Sequence, residues 1–325
     1  MYGRGFHVTV RKNYKVIVIG TLNTIIEVVC NVVMTLRALY INDDFKKNVL
    51  DDINRMDAIL AKYKKSKSKT ICSYFHLLLL NTVFHLSLVL NNASRIFTNQ
   101  EFGLQFLYYG VDIIWGYRIS NLVFYIYYLL RGFHERILAI NNMLITLFGK
   151  RPVLSENVIN YRNVIRDVSE LHAKFTQTIG YFNELFGWQL LLIFLGNITL
   201  FIISYETGLR VTSLPFNYDL QISIWLSCSM IYAMICSILI TSTSDRISKE
   251  ARRTADLLFY YYYDINDGES DVERNLIEDI LALIRQTRGS ITNFSAAGFF
   301  TIDYSTLFFL MNLLTSYVIV LIQFE

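Results

Sequence analysis

The chain has 325 residues, of which 53% are hydrophobic, 15% aromatic and only 18% charged, and it contains just 2 prolines. Soluble domains carry about 25% charged residues, so this composition excludes disordered and collagen-like classes and favours long, unbroken helices in a membrane. The net charge of +3 argues against nucleic acid as the main partner, and 4 cysteines without a Cys-x-x-Cys pair argue against a disulfide scaffold or a zinc site.

Six stretches are apolar enough to cross a bilayer, which takes about 20 mostly apolar residues in a helix. The first stretch is weakened by Asn23, Glu27 and Asn31. Because lipid offers the backbone no hydrogen-bond partners, and because the runs are too long for barrel strands, we predict an all-α, polytopic membrane helix bundle. The predicted spans are residues 15–39, 70–90, 106–130, 181–204, 220–240 and 303–324.

The lysines and arginines of the connecting segments predict the orientation of these spans, since cytoplasmic loops are enriched in both residues. Segments 41–69, 131–180 and 241–302 are basic and are predicted to be cytoplasmic. Segments 91–105 and 205–219 carry one arginine each and are predicted to lie outside. The alternation is consistent over all of these loops, and it places the C-terminus outside the cell.

The N-terminal segment does not fit this alternation. By parity, residues 1–14 should lie outside, yet they carry Arg4, Arg11 and Lys12. Either the first apolar stretch does not cross the membrane, or the chain lacks a helix upstream. In agreement with the other loops, Asn92 begins an Asn-Ala-Ser glycosylation sequon in a predicted exterior loop.

Helical periodicity continues from the spans into the basic segments. Apolar residues recur at steps of three and four after the third span, before the fourth, and again from Leu276 to Ile284. This pattern predicts helices that extend into the cytosol and pack there as an anchor bundle, although each stripe could instead lie along the membrane surface. The predicted organisation is spans and short loops over 1–130, a cytosolic helical extension over 131–180, two spans over 181–244, cytosolic helices over 245–290 and the last span over 291–325.

No motif for phosphate binding, zinc proteolysis or serine hydrolysis is present in the sequence. The acidic run 264–271 does not match a calcium-binding EF-hand loop, because Glu269 stands where that loop requires glycine. We interpret the run as a solvated break between two helices. The sequence therefore predicts no cofactor, no metal site and no enzymatic activity.

Polar side chains inside spans are candidate functional residues, because burying them in lipid is costly. His85 and Asp112 fall in the outer halves of their spans and Arg118 near mid-depth, with Trp115 and Trp225 at comparable depths. Asp112 and Arg118 are about 240° apart around a helix, so each needs a partner elsewhere. These five residues predict an outward-opening ligand pocket with aromatic walls, unless the polar groups satisfy one another in the bundle core.

The end of the chain carries a specific signature. Ser316 and Tyr317 are followed by five hydrophobic residues and then by Gln323 and Phe324. This segment resembles the C-terminal signature of the insect gustatory receptors, seven-transmembrane chemoreceptors in which Thr-Tyr, five hydrophobic residues and Gln-Phe occupy this place. The departure is serine for threonine, which keeps the hydroxyl. The resemblance is sharp over residues 290–325 and rests on topology elsewhere.

The resemblance implies a function and assigns residues to it. It implies a plasma-membrane, ligand-gated, non-selective cation channel, built as a tetramer of identical or related subunits and opened by a small-molecule tastant. The last span would line the pore, with Tyr317, Val320, Gln323 and Phe324 at the pore or gate. The family has seven spans, so the first span here would match the family's second, and the missing span would lie upstream of Met1.

Two other classes of membrane protein are alternatives. A G-protein-coupled receptor would predict an exterior N-terminus, an exterior disulfide and prolines within spans. A secondary transporter would predict internal repeats and helices broken by glycine or proline. Both prolines, Pro152 and Pro215, lie in connecting stretches, so the proline count disfavours both classes.

Overall fold

A computed structural model describes residues 25–26, 28–29, 32–33, 43–63, 79, 81–83, 86, 102–148, 154–211, 216–265, 271–290 and 293–323. Its helices are α1 (Asp43–Ala61), α2 (Phe102–Phe148), α3 (Leu154–Val211), α4 (Phe216–Ile265), α5 (Asp271–Gly289) and α6 (Tyr304–Gln323). Strands β1 (Ser295–Ala296) and β2 (Phe300–Thr301) form an antiparallel hairpin between α5 and α6. The prediction of an all-α helix bundle is therefore confirmed, with this small hairpin as an addition that the sequence did not indicate.

Three helices are much longer than a bilayer is thick. Helices α2, α3 and α4 contain 47, 58 and 50 residues. At about 1.5 Å per residue they measure about 70–87 Å, against about 30 Å of hydrocarbon. Neither proline lies inside a described helix, since Pro152 and Pro215 fall in the short connections before α3 and α4. The long helices therefore continue past the membrane without a break, as the periodicity predicted.

Beyond the predicted spans these extensions pack into an anchor bundle, formed by 43–63, 131–148, 154–180, 245–265 and 271–290. The predicted stripes face its centre, where Ile140 of α2, Val168 of α3 and Ile280 of α5 are each 0% exposed. Each fully buried side chain of this size contributes about 1.5–3 kcal/mol. The stripes thus form one continuous core rather than lying separately along a membrane surface.

Helix α1 occupies a segment that the charge pattern predicts only as a basic loop. Met56 is fully buried in the anchor core. Ion pairs connect the polar side of α1 to the neighbouring helices. Asp52 lies 2.7 Å from Lys174 on α3, and Asp57 receives two hydrogen bonds from Arg136 on α2 at 2.8 and 2.9 Å. The apolar residues of α1 do recur at helical spacing, but the density of lysines around them hides the pattern.

Two described helical stretches, Tyr161–Tyr205 and Ser227–Tyr263, are long and apolar enough to cross a membrane, and Tyr304–Val320 is a shorter apolar helix. They contain most of the predicted fourth, fifth and sixth spans. The third span lies within α2. The first and second spans fall mostly outside the described residues. Within them, the structure describes helical residues at 25–26, 28–29, 32–33, 79, 81–83 and 86.

Candidate functional site

Helix α6, which the resemblance assigns to the pore, begins at a capped and tethered end. The Asp303 carboxylate accepts the backbone N–H of Thr306 at 3.1 Å and also accepts the Ser305 hydroxyl. The Thr306 hydroxyl donates to the carbonyl of Thr301 in β2. An aspartate at this position typically contributes about 1 kcal/mol to helix stability. These bonds fix the first turn of α6 relative to the hairpin.

The hairpin is held against α3 by the side chain of Asn183. Its amide nitrogen donates to the carbonyl of Asn293 at 2.9 Å, and its amide oxygen accepts the backbone N–H of Ser295 at 3.0 Å. An asparagine amide can donate and accept at the same time, so one residue binds the backbone on both sides of Phe294. The start of β1 is thereby tied to α3.

Gly187, one turn further along α3, lets the hairpin approach the helix closely. A Cβ atom at this position would lie 2.8 Å from the backbone nitrogen of Ala297 and 3.3 Å from the carbonyl oxygen of Ser295. Ala297 and Gly298 both have positive φ, 52° and 80°, as the centre of a type I′ turn requires. Only glycine at 187 leaves room for this turn.

An aromatic cluster completes the joint between hairpin and helices. Phe294, which is 1% exposed, packs edge-on against Phe182 of α3, with ring centroids 5.2 Å apart. It also stacks on Phe133 of α2 at 6.3 Å. Edge-to-face pairs contribute about 0.5–1.5 kcal/mol beyond the burial of their area. The segment that leads into α6 is therefore anchored to two of the long helices at once.

The predicted pore residues that the structure describes lie in the C-terminal half of α6. Tyr317 is half-buried, Val320 is 48% exposed and Gln323 is exposed, while Phe324 lies outside the described residues. Helix α6 packs on α3 and α4, but a wide apolar face has no cover within the described chain. That face includes Phe308, Phe309, Ile319 and Val320. The arrangement is compatible with a pore or gate role for these residues, which stays a prediction.

Of the five predicted ligand residues, the structure describes the side chain of Arg118 alone. Arg118 is exposed on α2. Asp112, Trp115 and Trp225 lie on described helices, but their side chains are outside the described part of the structure, as are His85 and the sequon residue Asn92. The pocket that these residues predict therefore stays a prediction.

A buried polar network at mid-depth was missed by the sequence analysis. Asn81 is 1% exposed, donates to the side-chain oxygen of Asn121 at 2.8 Å and accepts the hydroxyl of Tyr232 at 2.8 Å. It links the second predicted span to α2 and α4. The polar residues predicted as ligand-binding inside the spans have ionisable side chains, and Asn81 is not among them. An asparagine in an apolar run is itself a signal for such a network, since it must find a partner in lipid.

The anchor bundle contains a polar link between α2 and α4. Asn141, 1% exposed, donates to the backbone carbonyl and to the carboxylate of Glu250 at 2.9 and 3.0 Å. Its amide oxygen accepts the hydroxyl of Thr254 at 2.7 Å. Both polar atoms of the Asn141 side chain are thus engaged, so the network can specify how the two helices align.

His172 is the buried histidine of the anchor core. It is fully buried on α3, and neither ring nitrogen has a hydrogen-bond partner among the residues that the structure describes. Burial disfavours the charged ring and lowers its pKa to about 4. Among the described residues, no group of three or more His, Cys, Asp or Glu side chains could hold a metal ion.

Comparisons with known proteins agree with the C-terminal signature. A family model described as 7tm Chemosensory receptor matches residues 6–325. Gustatory receptor 68a of Drosophila melanogaster is 36% identical over 119 residues, which cover 36% of this chain and 28% of that receptor. The match therefore spans less than a third of the length of this relative.

Solved structures show a related fold. The insect olfactory receptor OR5 from Machilis hrabei aligns with a TM-score of 0.56 and 12% identity, over 94% of this chain and 80% of that one. A structure of the same receptor in complex with eugenol aligns with a TM-score of 0.45 and 12% identity, over 87% and 70% of the two chains. At 12% identity, the first alignment shows a similar fold and nothing more.

Proposed function

The chain belongs to the 7tm chemosensory receptor family, whose model covers residues 6–325, and on that basis we propose that it is a gustatory receptor acting as a ligand-gated, non-selective cation channel. The channel is a tetramer of identical or related subunits in the plasma membrane. The C-terminus is extracellular, and the ligand is a small-molecule tastant. Enzymatic catalysis has no part in this proposal.

The observation that carries the proposal is that α6 has one packed side and one exposed apolar side. One side of this apolar helix packs on its own chain, while Phe308 is 69% and Phe309 63% exposed. A helix at the centre of a tetramer has this division, because its remaining faces meet neighbouring subunits and the pore. Tyr317 and Phe324 are seven residues apart and so share a helix face. Four copies of Gln323 and Phe324 would form an apolar constriction with an amide edge.

Such a constriction can gate by excluding water. A narrow ring of phenylalanine dewets, and a small rotation of the helix would exchange it for the glutamine amide and admit hydrated ions. Glu325, repeated around the ring, would favour cations at the mouth. The capped start of α6 and its joint to α3 give such a rotation a fixed base.

We place the ligand pocket between the outer halves of the earlier spans. His85, Asp112, Trp115, Arg118 and Trp225 are its proposed lining, as their predicted depths suggest. The network around Asn81 lies at mid-depth and would form the pocket floor, where hydrogen-bonding groups can orient a bound molecule. Substitutions at these positions should change ligand sensitivity while leaving ion selectivity unchanged.

Whole-cell recording tests the channel. Cells expressing the chain, with and without an added upstream span, should show a non-selective cation current with at least one member of a tastant panel. Surface labelling controls for delivery to the membrane. If both versions reach the cell surface and neither carries current with any tastant or related subunit, the channel proposal fails.

An epitope after Glu325 tests the orientation independently of conduction. It should be stained on intact cells, because the basic segments predict an extracellular C-terminus. An epitope inserted in the acidic run 264–271, which lies within a predicted cytoplasmic segment, is the matched control and should be stained only after permeabilisation. Staining of the C-terminal epitope only after permeabilisation would reverse the proposed topology.

A further inference from the structure

A polar cavity of about 80 Å³ lies at the base of α6, apart from the proposed ligand pocket. Helix α4 supplies Asp245, Lys249 and Arg252, and the hairpin segment supplies Thr301 and Asp303. Asp245, Lys249 and Arg252 recur at steps of four and three and so share one face of α4. The cavity therefore joins α4 to the segment that begins α6.

The predicted spans place the cavity at the membrane boundary, on the side of the basic segments. Asp245 is the first charged residue after the fifth predicted span, and Asp303 stands at the start of the sixth. The structure places both in the wall of the same cavity. The Lys249 ammonium lies 5.4 Å from the ring centroid of Tyr304, at the first turn of α6. This is the depth at which lipid headgroups meet a membrane protein.

The cavity is lined by two carboxylates and two cations, and one of the cations lacks an ion-pair partner within the described ranges. Asp303 is engaged in capping α6 and also accepts the Thr301 hydroxyl at 3.2 Å. Asp245 forms an ion pair with Lys249 at 2.6 Å. Arg252 is exposed, and within the described ranges no ion pair or hydrogen bond of its guanidinium is found. A free guanidinium presents a planar fork of N–H donors that matches the oxygens of a phosphate group.

From this geometry we propose that the cavity binds the phosphodiester of a phospholipid from the adjacent leaflet, with Arg252 and Lys249 as its binding groups. The Arg252 guanidinium, which has no ion-pair partner within the described ranges, can pair with the single negative charge of a phosphodiester. The volume suits one phosphate group, while the acyl chains stay in the bilayer. A lipid bound here bridges α4 and the base of α6, and thereby stabilises the position of α6. The inference goes beyond channel activity and does not depend on it.

Thermal unfolding of the purified full chain tests the site. In a detergent-solubilised, delipidated sample, dioleoyl phosphatidylserine should raise the unfolding midpoint in a dose-dependent manner, whereas dioleoylglycerol, which lacks the phosphate, should not. Arg252→Gln should weaken the apparent affinity about tenfold, the usual effect of losing a charged hydrogen bond. Arg253→Gln is the matched control, because Arg253 is also exposed but pairs with Glu250 and does not line the cavity.

Three results would overturn the proposal. The first is equal affinity for phosphatidylserine in the wild type and Arg252→Gln. The second is an equal effect of dioleoylglycerol. The third is an equal loss in Arg253→Gln, which would indicate a diffuse surface charge effect. Inorganic phosphate distinguishes the source: if it alone gives the full, Arg252-dependent shift, the ligand is soluble phosphate and the lipid proposal is wrong. Lys249→Gln, with an expected weaker loss, serves if Arg252→Gln does not fold.

Discussion

Replacing Gly187 with alanine should loosen the joint between α3 and the hairpin that leads into α6. The added Cβ would lie 2.8 Å from the Ala297 nitrogen, 3.1 Å from its Cα and 3.3 Å from the Ser295 oxygen. All three are backbone atoms, so no flexible side chain can move aside. Since carbon atoms pack best at about 3.5–4.0 Å, the hairpin must retreat by about 0.5–1 Å.

The magnitude follows from two opposing effects. Overpacking of this kind costs about 1–3 kcal/mol, while alanine gains about 0.5–1 kcal/mol over glycine inside a helix. Gly187→Ala should therefore lie between neutral and about 2 kcal/mol less stable. A Cβ atom added to Gly180, on the same helix, would have no neighbouring atom within 4 Å. Gly180→Ala should gain the helix term alone, so the two variants should differ by about 1–3 kcal/mol.

The assay is thermal stability of the detergent-purified full chain, read as the monodisperse fraction that survives heating. A difference of about 1 kcal/mol moves the midpoint by about 2–4 °C in a domain of about 150–250 residues, and by somewhat less in a longer chain. Gly187→Ala should melt several degrees below Gly180→Ala. If the two variants melt together, the close approach of the hairpin to α3 is not a tight contact, and this reasoning fails.

Three further predictions address other sites. His172 has a pKa of about 4 in the folded chain and about 6.5 unfolded, so the unfolded state binds the extra proton between these values. The free energy of unfolding should therefore fall by up to about 3 kcal/mol from about pH 6.5 to pH 4. If the unfolding midpoint of His172→Leu depends on pH as steeply as that of the wild type over this range, the prediction is wrong. Asn141→Leu should lower stability by about 1–3 kcal/mol in the heating assay, because it leaves Thr254 and Glu250 without their buried partner; an unchanged midpoint would remove the network from the account. Phe324→Ala should raise current in the absence of ligand at unchanged surface level, since it removes the apolar constriction, and an unaltered basal current would exclude Phe324 from the gate.

Features with a local sequence period were predictable. Val168 and Phe175 stand seven residues apart on one face of α3, and both are 0% exposed in the anchor core. The helical period depends only on the backbone of that helix, so it can be recognised without knowing the partner. The charge pattern of 41–69 was more misleading, because the lysines needed for orientation conceal the apolar face of α1.

The joint at the base of α6 could not be predicted, because its partners are distant in sequence. Asn183 binds backbone groups 110 and 112 residues away, and nothing in its neighbourhood distinguishes it from a surface asparagine. Gly187 likewise gains its meaning only when the turn at Ala297 is placed against it. Asparagine and glycine are common residue types, and their roles here become visible only when the backbone of the hairpin is placed against α3.

The unbroken length of α3 has a mechanical consequence. With 58 residues and no proline, it lacks the proline kink at which a local bend could absorb movement. A rod of about 87 Å that tilts by about 2° displaces its far end by about 3 Å, close to the width of an atom. A small tilt that begins near the C-terminal end of α3 would therefore become a displacement of several ångströms at its N-terminal end, which lies in the anchor bundle. Because α3 also contacts the hairpin at Gly187, a tilt of α3 would move the hairpin and the start of α6 with it.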